Sequence, residues 1–84
     1  MNPRVVTVMP IESHALLLRF DNGEQRRMDV SPYLAYAVFE PLREPTFFAR
    51  ALADHGTVSW PGGIDLDPDS VYLESVPVVQ TAAV

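Results

Sequence analysis

An α+β fold is what this chain predicts: a small antiparallel sheet, built from an N-terminal meander of three strands plus a short C-terminal hairpin, with two or three short helices. Three observations carry that expectation. Asp21-Asn22-Gly23 separates two strand-like runs and is a strong hairpin signal. Ser31-Pro32, Glu44-Pro45 and Asp67-Pro68 each set a polar residue before a proline, which suits the start of a helix. Residues 60–69, WPGGIDLDPD, place a large aromatic, a tight turn and three alternating carboxylates in one short stretch. Proline and glycine constrain that backbone, and the tryptophan must find a burial site.

Size and composition bound the rest. Eighty-four residues fit one domain, expected over residues 1–76, with residues 77–84 as a flexible, uncharged tail. A chain this short buries only roughly 60–65% of its unfolded surface, so its core is small. With no cysteine there are no disulfides or thiolate metal sites, and stability must come from packing 48% hydrophobic residues, eight aromatics among them. The net charge of −5, with eleven acids against six arginines and no lysine, argues against a nucleic-acid surface. No run approaches the ~20 apolar residues of a membrane helix. Met1-Asn2-Pro3-Arg4 does not open like a secretory signal, so a cytoplasmic location is expected.

Element by element, residues 5–9 are rich in β-branched side chains and read as a strand closed by Pro10. Residues 14–20 and 24–30 read as the next two strands. A two-residue Asn22-Gly23 turn would set Arg19 against Arg26 and Asp21 against Glu24, both like-charge pairs. A three-residue loop with Gly23 left-handed instead pairs Arg19 with Gln25 and Leu16 with Met28. That register gathers Leu16, Leu18, Phe20, Met28 and Val30 on one face, and a one-residue slip would exchange the faces.

Ser31 then caps a short helix over residues 33–39, which stops before Pro41. A second helix, residues 46–52, aligns Phe48 with Ala51 and Leu52 and ends at Gly56. Residues 57–60 and 64–66 form the C-terminal hairpin around Pro61-Gly62-Gly63. Asp67 starts a third helix carrying Val71, Tyr72 and Leu73.

These residues together resemble a known family. The pattern Phe20-Asp21-x-Gly23-Glu24, then Asp29-Val30, Phe47-Phe48 and Trp60-Pro61-x-Gly63-Ile64-Asp65-Leu66-x-Pro68-Asp69-x-Val71-Tyr72 is similar to the bacterial domain-of-unknown-function family 2442. The likeness covers residues 5–72, with Gly62 and Val71 as small departures. It implies a compact α+β domain with no established activity and no catalytic residues to carry over. It also implies a setting beside another small protein, similar to toxin–antitoxin gene pairs, with a helix-turn-helix in some longer relatives.

Candidate chemistry is sparse. Asp65, Asp67 and Asp69 alternate like the opening of a calcium loop, yet Ser70 stands where that loop needs glycine and Val76 where it needs glutamate. The structural reading gives Asp67 to the helix cap, Asp69 to its first turn, and Asp65 to backbone amides of the tight turn. His14 and His55 lie in different elements, His55 at an expected helix end. Trp60, Tyr72, Phe47 and Phe48 read as core. Arg26 and Arg27 point to opposite faces of a strand. Leu17, Arg19, Gln25 and Arg27 would share the sheet face away from the core and make the candidate partner surface, with Ala15 beside them. The free edge of the first strand could add a strand from another chain.

The expectation is therefore a non-enzymatic protein-interaction module, the partner-binding, antitoxin-like member of a two-gene pair. It would bind a small protein or a second copy, with no cofactor, metal or catalytic residue. A nucleic-acid-contacting regulatory domain is the alternative, and a small enzyme ranks last.

Overall fold

The computed structural model describes residues 2–78. Its N-terminal meander consists of β1 (Val5–Ile11), β2 (Ala15–Phe20) and β3 (Gln25–Asp29). Gly23 sits at φ 89°, its N–H donates to Phe20 O at 2.9 Å, and Arg19 faces Gln25 while Leu16 faces Met28. The three-residue loop and its register are therefore as the charge argument requires. Leu16, Leu18, Phe20, Met28 and Val30 are all buried on one face.

Pro10 does not close the first strand, which runs on to Ile11. Proline is tolerated because β1 lies at the sheet's edge, where a missing N–H interrupts no ladder. A bulge between Val5 and Thr7 twists the strand near its start. At the other edge, Val76–Pro77 forms a short strand opposite Arg27 and Arg26, giving the order β1-β2-β3-Val76–Pro77. Val78 N–H continues the pairing to Gln25 O at 2.9 Å. Ordered structure thus runs past the expected boundary at residue 76. The remainder of the expected tail, residues 79–84, lies outside the described residues.

The expected helix over residues 33–39 is replaced by two 3₁₀ segments, Ser31–Ala35 and Ala37–Arg43, separated by extended Tyr36. Pro41 lies inside the second, since a short 3₁₀ run loses little from one absent donor. Ser31 is not the cap. That position falls to Val30, and Ser31 instead hydrogen-bonds Asp29 Oδ1 through both its N–H and its hydroxyl.

The second expected helix is also corrected. Helix α1 (Pro45–Phe48) is a single turn, and Leu52–Asp54 forms strand β4, paired with β5 (Thr57–Trp60). His55 and Gly56, at φ 52° and 77°, make the two-residue hairpin turn between them. Both residues in the left-handed region give a turn whose twist matches its strands. Gly56 therefore closes a hairpin, not a helix, and His55 sits at that exposed turn with Nδ1 3.0 Å from Asp54 Oδ1. Strand β6 (Ile64–Asp65) completes a second sheet, β4-β5-β6, and helix α2 (Pro68–Glu74) follows.

The core lies between the two sheets and α2. Val5 and the inner face of the meander meet Val58, Trp60 and Leu66 of the second unit, Leu42 and Phe48 of the helical connection, and Val71 of α2. Trp60 is 3% exposed, and its indole N–H donates to Phe48 O at 2.9 Å, so its polar edge is satisfied inside the core. The two sheets are tied at one corner, where Val5 N–H donates to Gly56 O at 3.1 Å.

Candidate functional site

The hairpin register places Leu17, Arg19, Gln25 and Arg27 together on the outer sheet face, Leu17 directly opposite Arg27 and Arg19 opposite Gln25. Two neighbours escaped sequence reasoning. Met9 of β1 stands opposite Leu17, and Val76 stands opposite Arg27, so one row crosses the whole sheet as Met9, Leu17, Arg27 and Val76. Met9 is 59% and Val76 58% exposed, while Leu17 is half-buried between them. The adjacent row runs Thr7, Arg19 and Gln25, and a shallow depression of about 170 Å³ opens between the rows.

Side chains directly opposite on neighbouring strands stand close enough to act as one surface. This face is therefore an apolar strip bearing two exposed guanidinium groups, Arg19 and Arg27. Ala15 at its end is buried, opposite Ile11 on one side and Asp29 on the other. The bond from Ser31 holds the Asp29 carboxyl below its usual range, and the Arg27 charge adds to that effect. Arg27 thus works in the field of one acid and remains available to a second. The outer edge of β1 is a poorer template for an added strand, because the bulge and Pro10 interrupt it.

Arg26 points to the inner side and does structural work. Its Nη1 donates to Glu24 Oε2 at 2.8 Å, its Nε to Ser75 Oγ at 2.8 Å and its Nη2 to Ser75 O at 2.6 Å. Its guanidinium also lies 4.3 Å from the centre of the Tyr72 ring. Tyr72 in turn donates to Glu24 Oε1 at 2.7 Å and meets Phe20 edge-on. The hydrogen bond from Tyr72, with those from Asn22 and Arg26, holds the Glu24 carboxyl below its ordinary 4.5. This network clamps α2 and the last strand onto the first hairpin.

Of the three alternating aspartates, only Asp67 serves the backbone among the described residues. Asp67 caps α2, accepting from Ser70 N–H at 3.0 Å and from its hydroxyl at 3.1 Å, and Asp69 accepts from Asn2 Nδ2 at 3.2 Å. Asp65 differs from expectation: it is exposed, and among the described residues its carboxylate accepts no backbone amide. No three His, Asp or Glu side chains converge as metal ligands among the described residues. His14 meets Phe48 edge-on at 4.9 Å, and its Nε2 is shielded from solvent. It lines a hollow of about 310 Å³ with Pro10, Ile11, Glu12 and Phe48 among its walls. Among the described residues, no helix is long and apolar enough to cross a membrane.

No curated protein and no solved structure matches the chain. A family model does, that of the protein of unknown function DUF2442, over residues 5–77. The matched span holds both sheets, α2 and the paired Val76–Pro77, and so the chain belongs to the DUF2442 family.

Proposed function

We propose that this protein is a non-enzymatic interaction module that binds a small protein partner through the outer face of the meander. Its role would be similar to that of the antitoxin-like member of a two-gene pair. The observation that carries this reading is the row Met9, Leu17, Arg27 and Val76, an apolar strip with charge at its centre on an open sheet face. Arginine among exposed apolar side chains is typical of recognition surfaces, since its flat fork tolerates desolvation and pairs with carboxylates.

The polar groups elsewhere support the same view. Asp67 is a helix cap, Glu24 and Arg26 form a clamp, and Arg43 donates through Nε and Nη2 to Leu34 O at 3.0 and 2.8 Å. Each is committed to holding the fold. With Arg26 and Arg43 occupied in this way, a protein surface suits the outer face better than a phosphate backbone, which rewards many free cations.

The test is recovery of the tagged chain, at native abundance, from its own cells. A stoichiometric small protein is expected with the parent and is lost with Arg27→Glu or Met9→Asp, exposed changes that leave the melting temperature intact. A chain that sediments as a lone monomer in its own lysate would overturn the proposal. A homodimer broken by the same substitutions would move the face from a foreign partner to a second copy.

A further inference from the structure

At the part-buried seam between α2 and the first hairpin, one carboxylate is shared by a tyrosine and an arginine. Glu24 takes the Tyr72 hydroxyl on Oε1 at 2.7 Å and Arg26 Nη1 on Oε2 at 2.8 Å, while the guanidinium lies over the Tyr72 ring. Each contact helps the others, because the carboxylate and the ring face both attract the cation. A different flank of α2 repeats two members of this arrangement at the surface. The Tyr33 hydroxyl donates to Glu74 Oε1 at 2.6 Å. Glu74 Oε2 accepts no hydrogen bond and pairs with no arginine among the described residues, and residues 79–84 contain no basic side chain.

Around this pair lies a groove of about 240 Å³ lined by Pro32, Tyr33, Tyr36 and Glu74. It is smaller than the usual small-molecule pocket and suits one long side chain. Tyr36 is 62% exposed at its rim, while Tyr33 is held edge-on against Phe39 at 5.4 Å. We propose that this groove binds an arginine side chain presented by a basic protein segment, its guanidinium completing with Tyr33 and Glu74 the triad that Arg26 completes with Tyr72 and Glu24.

The local field favours such an occupant. Burial, the bond to Glu74 and the charges of Glu74 and Asp67 push the Tyr33 hydroxyl up to about 12. The Tyr33 phenol therefore stays neutral, a hydrogen-bond donor, throughout the physiological range. The whole chain, at −5, draws a basic segment toward it. Arginine fits better than lysine because a flat guanidinium can lie on a tyrosine face and still donate to a carboxylate. The groove belongs to α2 and the first 3₁₀ segment, so it stands or falls apart from the outer sheet face.

An arginine–glycine hexapeptide titrated into the isotope-labelled full chain at low salt, followed by NMR, tests the assignment. Shifts should concentrate at Tyr33, Tyr36 and Glu74. Glu74→Gln and Tyr36→Ala, both at exposed side chains, should keep the parent melt and weaken binding by roughly fivefold or more. The same peptide with citrulline for arginine should produce no shifts. Unchanged affinity in Glu74→Gln overturns the proposal, as do shifts spread over the acidic surface or confined to the outer sheet face. A lysine peptide binding as tightly as the arginine one would overturn the guanidinium assignment.

Discussion

Removing the Trp60 indole is the most direct test of the packing described above. The ring is 3% exposed, lies 5.8 Å from Phe48 between centroids, and donates its N–H to Phe48 O. Truncating a buried tryptophan to alanine costs about 3–5 kcal/mol through lost transfer energy and the cavity left behind. Phe48 O keeps the Ala51 N–H at 3.2 Å, so losing the indole donor adds only about 0.5–1.5 kcal/mol, the net worth of one hydrogen bond. A domain of this length holds only about 4–12 kcal/mol in total. Trp60→Ala should therefore leave the chain largely unfolded at room temperature or strongly destabilised. Trp60→Phe separates the two effects, keeping most apolar volume while deleting the donor. Its expected cost is about 1–2 kcal/mol, a fall in Tm of roughly 5–15 °C. Trp60 is the single tryptophan, so fluorescence disappears with it and the melts must be read by far-UV circular dichroism or calorimetry. A Trp60→Ala variant melting within about 3 °C of the parent would refute the core assignment. Equal costs for alanine and phenylalanine would refute the division between packing and hydrogen bond.

Three further outcomes are expected. Gly56→Ala should lower stability by about 1–2 kcal/mol in urea titration, since a Cβ at φ 77° would meet Arg4 Cδ at 2.9 Å and the backbone there resists a side chain. Asp67→Ala should cost about 1 kcal/mol through loss of the α2 cap, with Asp67→Asn recovering most of it. Acid should weaken the fold through Glu24, whose carboxyl is held below 4.5 first by Tyr72, then by Asn22 and Arg26. Its contribution is complete above that value and fades as pH falls through the folded-state value, because the unfolded chain takes up the proton more readily. Urea midpoints measured from neutral pH to pH 3 should fall less steeply in Glu24→Gln, and parallel curves would contradict the role given to the clamp.

Much of the fold can be read from local chemistry. The like-charge pairs that a two-residue turn would create select the register of the first hairpin, and that register alone places Leu17, Arg19, Gln25 and Arg27 on one face. Asp67-Pro68 marks the start of α2 because a carboxylate cap and a proline at the first helical position are local devices. Residues 46–52 mislead for an equally local reason. Phe48, Ala51 and Leu52 have helical spacing, whereas Leu52 is drawn into a ladder with Ser59 that only the folded chain offers. The better signal was His55-Gly56, a two-residue turn preceding a strand. Met9 lies only eight residues from Leu17 and is hidden by reading Pro10 as the end of the strand, whereas Val76 joins the outer face through a pairing with Arg27, 49 residues away, so no window of sequence displays it. The same holds for Tyr33 and Glu74, 41 residues apart.

The amino-acid order by itself determined the family, the α+β class, the first hairpin and the buried face of its strands, because these follow from periodicity, turn chemistry and capping within a few neighbours. Tertiary structure alone decided that the strands divide into two sheets, that Val76–Pro77 closes an edge against β3, and that a tyrosine from one segment meets a glutamate from another. Those outcomes depend on which distant surfaces bury the most apolar area together, a comparison made over the whole chain at once.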